Sequence, residues 1–484
     1  MVSMRRVFAG LLAAVAVVTA GCGSSGGTTK GFDAASLAPK DAGAFVVVDT
    51  GQTSAQWKNA EALLAKIPGG EKSLDDAISQ LGGDKGLDFR KDVAPAFGKQ
   101  LVVVAPAGAK DPILLVKPDD SKKLEALLAK DTKPHVTGDV DDWTAVAMTQ
   151  KELDSYKAAL EKGTLSDSEA YAKATDGLPA ESLARGYVNG SGLANALGSA
   201  YGVASSIPGV GSSGLAGIGT GASSAGQAAD QIGTVAFAVS ASDRAFRLDG
   251  SLLAKNAAVS ESFTPTVLDR VPADALVAVS FDGAGQGQKA IDQALKQGGA
   301  QLGTMEKQLG VRLEDLVAAL DGEGVLYVRA GAPVPEITLL VKPTDVAGAK
   351  ATFETLVRKM ESSDGSALPV TGFRLMTGDY AGGIVYVSTS NHITSVLSGA
   401  GLTGTNRFKE AAKEIGFDGK TSGLGYIDIH ALGPLLKTAL GALGGSGSSS
   451  TTSGLEGLSA FDTAIFGATA DGSRTRFAAV VNLS

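Results

Sequence analysis

Asp41, Asp49 and Lys117 have counterparts later in the chain in Asp274, Asp282 and Lys342. These six residues are the candidates for a site built twice. Carboxylates brought together could hold a calcium ion, but that reading needs the dense D-x-D-x-D-G loop, which the sequence lacks. Each of the six lies at the border of an apolar run, where Asp and Pro ordinarily act as turn residues, so a structural role is the stronger expectation. A serine hydrolase would need a histidine base, and the chain has only His135, His392 and His430, none repeated in the other half. Its one G-x-S-x-G, Gly23 to Gly27, sits in a Gly/Ser/Thr run that cannot form a strained strand-to-helix elbow.

Two phosphate-binding patterns fail on spacing. Gly283-Ala284-Gly285-Gln286-Gly287 follows an apolar run, but its third glycine arrives one residue early for a dinucleotide fingerprint. Gly419-Lys420-Thr421 has Glu414 where a phosphate loop begins with glycine, and no apolar strand leads into it. With one cysteine and three histidines, a Cys-rich zinc site, an iron–sulfur cluster and a disulfide framework all lack ligands. The sequence therefore implies no cofactor and no metal, and an enzyme is the less favoured class.

The single cysteine has a different chemistry in view. Arg5 and Arg6 precede the apolar run Val7 to Val18, which is shorter than the roughly 20 residues a bilayer span requires. Residues 1–21 read as a leader to be cleaved. Thr19-Ala20-Gly21-Cys22 resembles the lipobox of bacterial lipoproteins, in which the cysteine is acylated and becomes the new N-terminus. Cys22 is thus the lipidation candidate. Residues 22–34 begin Cys-Gly-Ser-Ser-Gly-Gly-Thr-Thr, a composition that behaves as a flexible tether. The expected location is the extracytoplasmic face of a bacterial membrane, with the lipid as the contact.

The elements that must carry these residues are repeated. Leu37 to Asp49 reads LAPKDAGAFVVVD and Arg270 to Asp282 reads RVPADALVAVSFD. Leu101-Val102-Val103-Val104 precedes Leu114-Leu115-Val116-Lys117-Pro118, and Val325-Leu326-Tyr327-Val328 precedes Leu339-Leu340-Val341-Lys342-Pro343. Gly186-Tyr187-Val188 matches Gly425-Tyr426-Ile427, and each half closes on two strands, the second pair joined by the hairpin signal Asp471-Gly472. Self-similarity at this spacing divides the mature chain into residues 35–258 and 265–484. The strand-turn-strand stretches imply antiparallel pairing, so the expected fold class is α+β: two tandem homologous repeats, each a mainly antiparallel sheet packed with helices. Runs such as Phe45 to Val48 are apolar at consecutive positions, which predicts that at least part of the sheet is covered on both faces.

The P-x-D-A opening, the LLVKP strand after a Val-rich one and the closing hairpin resemble the bacterial DUF3352 family of uncharacterised exported proteins. The resemblance runs from about Leu37 to Leu483. It implies an envelope location and supplies no catalytic residues.

Composition narrows the partners. Charged residues are 19% of the 484 and the net charge is −8, falling to −10 when the two leader arginines are lost. With no Lys/Arg tract, nucleic acid is excluded as a partner, and an acidic body does not adhere to an anionic membrane by charge. The expectation is a lipid-anchored, non-catalytic binding protein whose partner is another envelope component or a lipid. The alternative is a carrier of a hydrophobic small molecule in a cleft of the duplicated body. Two Gly/Ser-rich stretches, 203–227 and 441–453, occupy the same place in both halves and are expected to be mobile surface loops, the first contacting a partner or lipid.

Overall fold

Apolar runs without a polar stripe become the central strands. A computed structural model describes residues 34–68, 89–130, 134–190, 232–255, 261–284, 303, 306, 307, 309–331, 335–362, 374–442 and 457–484. Its strands are β1 (Ala44–Asp49), β2 (Gln100–Ala105), β3 (Ile113–Val116), β4 (Val136–Val140), β5 (Trp143–Ala147), β6 (Ala184–Asn189), β7 (Ile232–Ala241) and β8 (Ala245–Ala254). They continue as β9 (Ala275–Asp282), β10 (Gly322–Arg329), β11 (Glu336–Pro343), β12 (Met376–Tyr380), β13 (Ile384–Ser388), β14 (Gly423–Asp428), β15 (Phe461–Asp471) and β16 (Arg474–Leu483). The helices are α1 (Ala55–Lys66), α2 (Ala94–Phe97), α3 (Ser121–Ala129), α4 (Gln150–Leu160), α5 (Glu169–Thr175), α6 (Leu313–Ala319), α7 (Val346–Ser362), α8 (Ile393–Leu397), α9 (Asn406–Glu414) and α10 (Ile429–Ala442). The fold is α+β with a large antiparallel sheet, as the hairpin-rich order implies.

The chain forms two compact units: Met1–Val259 with Ser446–Asp462 and Asp471–Ser484, and Ser260–Gly445 with Thr463–Ala470. In the first, the strand order is β16-β8-β7-β6-β1-β2-β3-β5-β4, antiparallel at every step. In the second it is β12-β13-β11-β10-β9-β14-β15, again antiparallel throughout. Reading β1 as β9 and continuing in chain order turns β7-β6-β1-β2-β3-β5-β4 of the first into β15-β14-β9-β10-β11-β13-β12 of the second. The chain's last strand, β16, runs beside β8 from Arg474 opposite Leu253 to Asn482 opposite Ala245.

In the first unit the sheet is buried on both faces. Phe45, Val47, Val102, Val104, Ile113 and Leu115 face Leu37, Leu153, Tyr156 and Leu165. On the other face Val46, Leu101, Val103, Leu114 and Val146 lie under Phe97 of α2 and Leu124 and Leu128 of α3. Each such side chain contributes about 1.5–3 kcal/mol when fully buried, which is why the run needs no polar alternation. In the second unit Phe353 and Ala349 of α7 and Ala319 of α6 cover Val341 and Val385, with Leu339 and Val387 at the margin.

Helix starts are set by side-chain oxygens. Ser54, Asp120, Thr149, Ser168 and Thr405 accept from the first-turn amides of α1, α3, α4, α5 and α9, each such cap being worth about 1 kcal/mol. Two aromatic contacts recur at the same place in the two units. Tyr171 of α5 meets Tyr187 of β6 edge-on at 5.3 Å and 65°. Phe408 of α9 meets Tyr426 of β14 at 5.4 Å and 62°.

Candidate functional site

The six repeated residues do not converge. Asp41 and Asp274 are exposed in one-turn loops that close by Ala42 N donating to Pro39 O at 2.9 Å and Ala275 N to Pro272 O at 3.0 Å. Asp49 and Asp282 lie at the far ends of the following strands, roughly 26 Å away at strand rise. There each carboxylate bends back on its own backbone, accepting from Gly51 N at 2.8 Å and Ala284 N at 3.1 Å. Burial pushes the Asp49 carboxyl above its ordinary range, and bonds from Ser54 and Gly51 oppose that only in part.

Lys117 pairs with Asp142 and lies 4.8 Å from the centre of the Trp143 ring. Its repeated feature is the backbone. A Cβ on Gly98, at φ +71, would meet Lys117 O at 1.8 Å; one on Gly322, at φ +138, would meet Lys342 O at 2.3 Å. The KP step therefore marks a strand end threaded past a glycine that no side chain can replace. Lys342 stands opposite Glu323, whose carboxyl burial raises despite bonds from Thr266 and Val267.

The rejected motifs are structural too. Thr421 Oγ1 is bonded to Gly423 O at 2.7 Å and Ala468 O at 2.9 Å. Gly283 packs against the Leu320 carbonyl, which a Cβ would meet at 1.9 Å. His135 precedes β4, His392 caps α8 and His430 lies in α10, so they stand on separate elements. Among the described residues, no group of three or more His, Cys, Asp or Glu is placed to hold a metal ion. Among them, too, no helix is long and apolar enough to cross a membrane. Cys22, residues 203–227 and residues 443–453 lie outside the described residues, and α10 runs through Gly441 and Ala442.

Two features of the second unit were not singled out from sequence. The first is apolar. Phe466, Gly425, Val279, Leu326 and Leu339 are successive cross-strand partners, so they share one face, with Val328 and Ile337 in the next row. Phe466 is 46% exposed, Ile337 43% and Leu326 42%. The Phe466 ring lies flat over Gly425, where a Cβ would come within 1.8 Å of it. The strip runs roughly 19 Å across the strands at ordinary sheet spacing.

The second is polar and lies on the opposite face. Tyr327 is opposite Thr338, which is opposite Ser388; all three are buried, and Ser280 lies on the same face of β9. Thr338 Oγ1 and Ser388 Oγ are hydrogen-bonded to each other at 2.7 Å. Arg329 Nη2 donates to Asp274 Oδ2 at 2.7 Å, and its Nη1 lies 3.5 Å from Glu336 Oε2. Burial pushes the Tyr327 hydroxyl up to about 12, with Thr338 and Arg329 opposing. It stays protonated at physiological pH, so this group can donate a hydrogen bond but cannot act as a phenolate base. The signal that could have found both features is a position-by-position comparison of the halves. No family model matches the chain, and no curated protein and no solved structure matches it either.

Proposed function

We propose that this is a lipid-anchored envelope protein that binds a protein partner through the exposed apolar strip of its second unit, and that it performs no catalysis. The strip of Phe466, Leu326 and Ile337 carries the reading. Large apolar side chains scattered singly need no explanation, whereas neighbours on one sheet face form a contiguous patch of the kind that marks an interaction site. Acylation at Cys22 after removal of residues 1–21 would hold the body beside its partner on the extracytoplasmic side of the membrane. The likeness of the P-x-D-A opening and LLVKP strands to the DUF3352 family supports that location.

We infer further that the body is a tandem duplication. The matching strand orders support this, as do the paired one-turn loops and the two aromatic contacts. Duplication frees one copy to keep the packed core while the other exposes a face.

The test is photo-crosslinking from position 337 in intact cells. A benzoylphenylalanine there should give one adduct of fixed mass, lost when Phe466→Lys is added. No adduct, or one indifferent to Phe466→Lys, would count against the strip. The anchor is tested separately: Cys22→Ser should move the protein to the soluble fraction, and unchanged membrane retention would refute lipidation.

A further inference from the structure

The structure assigns Asp471, at the turn into β16, as a modification site at which the chain isomerises to isoaspartate. Asp-Gly is the step where this reaction is easiest, because glycine has no Cβ to shield its amide nitrogen. The Gly472 nitrogen attacks Asp471 Cγ, the N–Cγ bond forms, the Cγ–OH bond breaks, and the hydroxyl leaves with the amide proton as water. Water then opens the cyclic imide at either carbonyl, giving back aspartate or an isoaspartate whose backbone runs through Cβ and Cγ. Mass is conserved, and no co-reactant other than water takes part.

The chain holds seven Asp-Gly steps, of which that at Asp364 lies outside the described residues. Four of the other six are closed to the reaction. The Asp176 carboxylate accepts from Arg474 Nη1 at 2.9 Å and Arg476 Nη2 at 3.2 Å. Asp249 is 9% exposed, with both oxygens on Arg247 Nε, and a Cβ on Gly250 would come within 1.9 Å of the Phe477 ring. Asp282 accepts from Ala284 N, and the Gly283 amide that would have to attack it donates instead to Gly322 O at 2.8 Å. Asp321 has a partner of its own, and Gly322 is a strand residue crowded by the Lys342 carbonyl.

Asp418 and Asp471 remain, and in both steps nothing lies within 4 Å of where a glycine Cβ would be. Asp418 is held, accepting from Lys420 N at 3.2 Å. Asp471 is not: its carboxylate makes no hydrogen bond or ion pair among the described residues. Asp471 and Gly472 are both exposed, and exposed loop tips are where the backbone opens most readily. The chain's one Asn-Gly step, which closes the same ring with loss of ammonia, is also held. Asn189 Nδ2 donates to Ala42 O at 2.9 Å, and Gly190 is buried.

The consequence falls on the start of β16. The added backbone atom enters just ahead of Arg474, whose Nε donates to Ser251 Oγ at 3.0 Å and whose Nη1 reaches Asp176 Oδ2 at 2.9 Å. Isomerisation at this turn thus displaces the residue that ties β16 to β8 and to the end of α5.

Peptide mapping of the purified full-length protein during storage at neutral pH tests this, with electron-transfer fragmentation to tell isoaspartate from aspartate at each step. Tryptic residues 438–474 carry Asp471. Isoaspartate should accumulate faster at Asp471 than at the five other described Asp-Gly steps. In denaturant all six should convert at similar rates, because the protection of the other five comes from the fold. Gly472→Ala should abolish the Asp471 signal in the folded protein. Conversion at Asp471 no faster than at the other five, or a preference for Asp471 that persists unchanged in denaturant, overturns the proposal.

Discussion

Val103 and Leu326 hold the same place in two sheets built in the same strand order, yet one is 8% exposed and the other 42%. Val103 lies between Val46 and Leu114, under Phe97, Leu124 and Leu128. Leu326 lies between Val279 and Leu339, but α6 and α7 concentrate their apolar side chains over β11 and β13. The opposite faces differ in the reverse sense, apolar in the first unit and hydroxyl-rich in the second. Strand order alone therefore does not decide what a sheet face buries. That depends on how far the covering helices reach and on a handful of side chains, so one strand order can enclose a face in one unit and leave it exposed in the other.

The largest contrast should come from a charge placed at these two positions. Val103→Asp buries an unpaired carboxylate and should cost on the order of 4 kcal/mol or more, enough to unfold the first unit. Leu326→Asp should cost about 1 kcal/mol or less, because water already reaches the site. Denaturant melts of both variants check this, and equal losses would mean that the second face is as tightly covered as the first.

A smaller contrast concerns two buried tyrosines. Tyr156 OH donates to Leu37 O, a buried bond, so Tyr156→Phe should cost about 1–2 kcal/mol. Tyr327 OH meets the Thr338 hydroxyl rather than a backbone carbonyl, so Tyr327→Phe should cost less, about 0.5 kcal/mol. A loss as large as that of Tyr156→Phe would show that the Tyr327 hydroxyl is bonded as strongly as that of Tyr156.

Where the units agree, so should the effects. Ser168 and Thr405 accept from Tyr171 N and Phe408 N, both at 3.3 Å, and alanine at either should cost about 1 kcal/mol. Unequal thermal shifts would show that the two helices carry different loads.

The smallest effect is a slope with pH. Burial raises the Asp49 carboxyl in the folded state, so the folded chain holds that proton more tightly than the unfolded one. Its contribution is most favourable below the ordinary value of 3.8 and falls as pH rises from there through the raised folded value. Asp49→Asn should remove this decline, gaining on the parent chain across that window. Parallel stability curves for the two proteins would contradict it.

The antiparallel architecture was legible because short apolar runs separated by turn residues leave few other options, and Gly472 of the Asp471-Gly472 turn indeed takes φ +59. Register was less so. Matching the runs by apolarity sets Val325 against Leu101. The ladders instead place Val103 opposite Val46 and Leu326 opposite Val279, and a slip of one residue exchanges the two faces of a strand. The repeated Asp and Lys residues stood out because turns and strand ends demand particular residues, which is also why they mark architecture. Ser280, Tyr327, Thr338 and Ser388 were silent, since Thr and Tyr are ordinary strand residues and a serine in a strand announces nothing until its neighbours are known. The exposure of Leu326 was equally hidden, because it depends on the reach of helices distant in sequence.

The claim that the second unit presents its apolar face to a partner is tested most directly by thiol reactivity. Cys22 is the chain's one cysteine, and acylation would block it, so Leu326→Cys would supply a single reporter. With a maleimide reagent, Leu326→Cys should react readily in the purified protein, far faster than Val103→Cys, and be protected in native membranes. Equal reaction of Leu326→Cys in both settings would contradict a partner on this face.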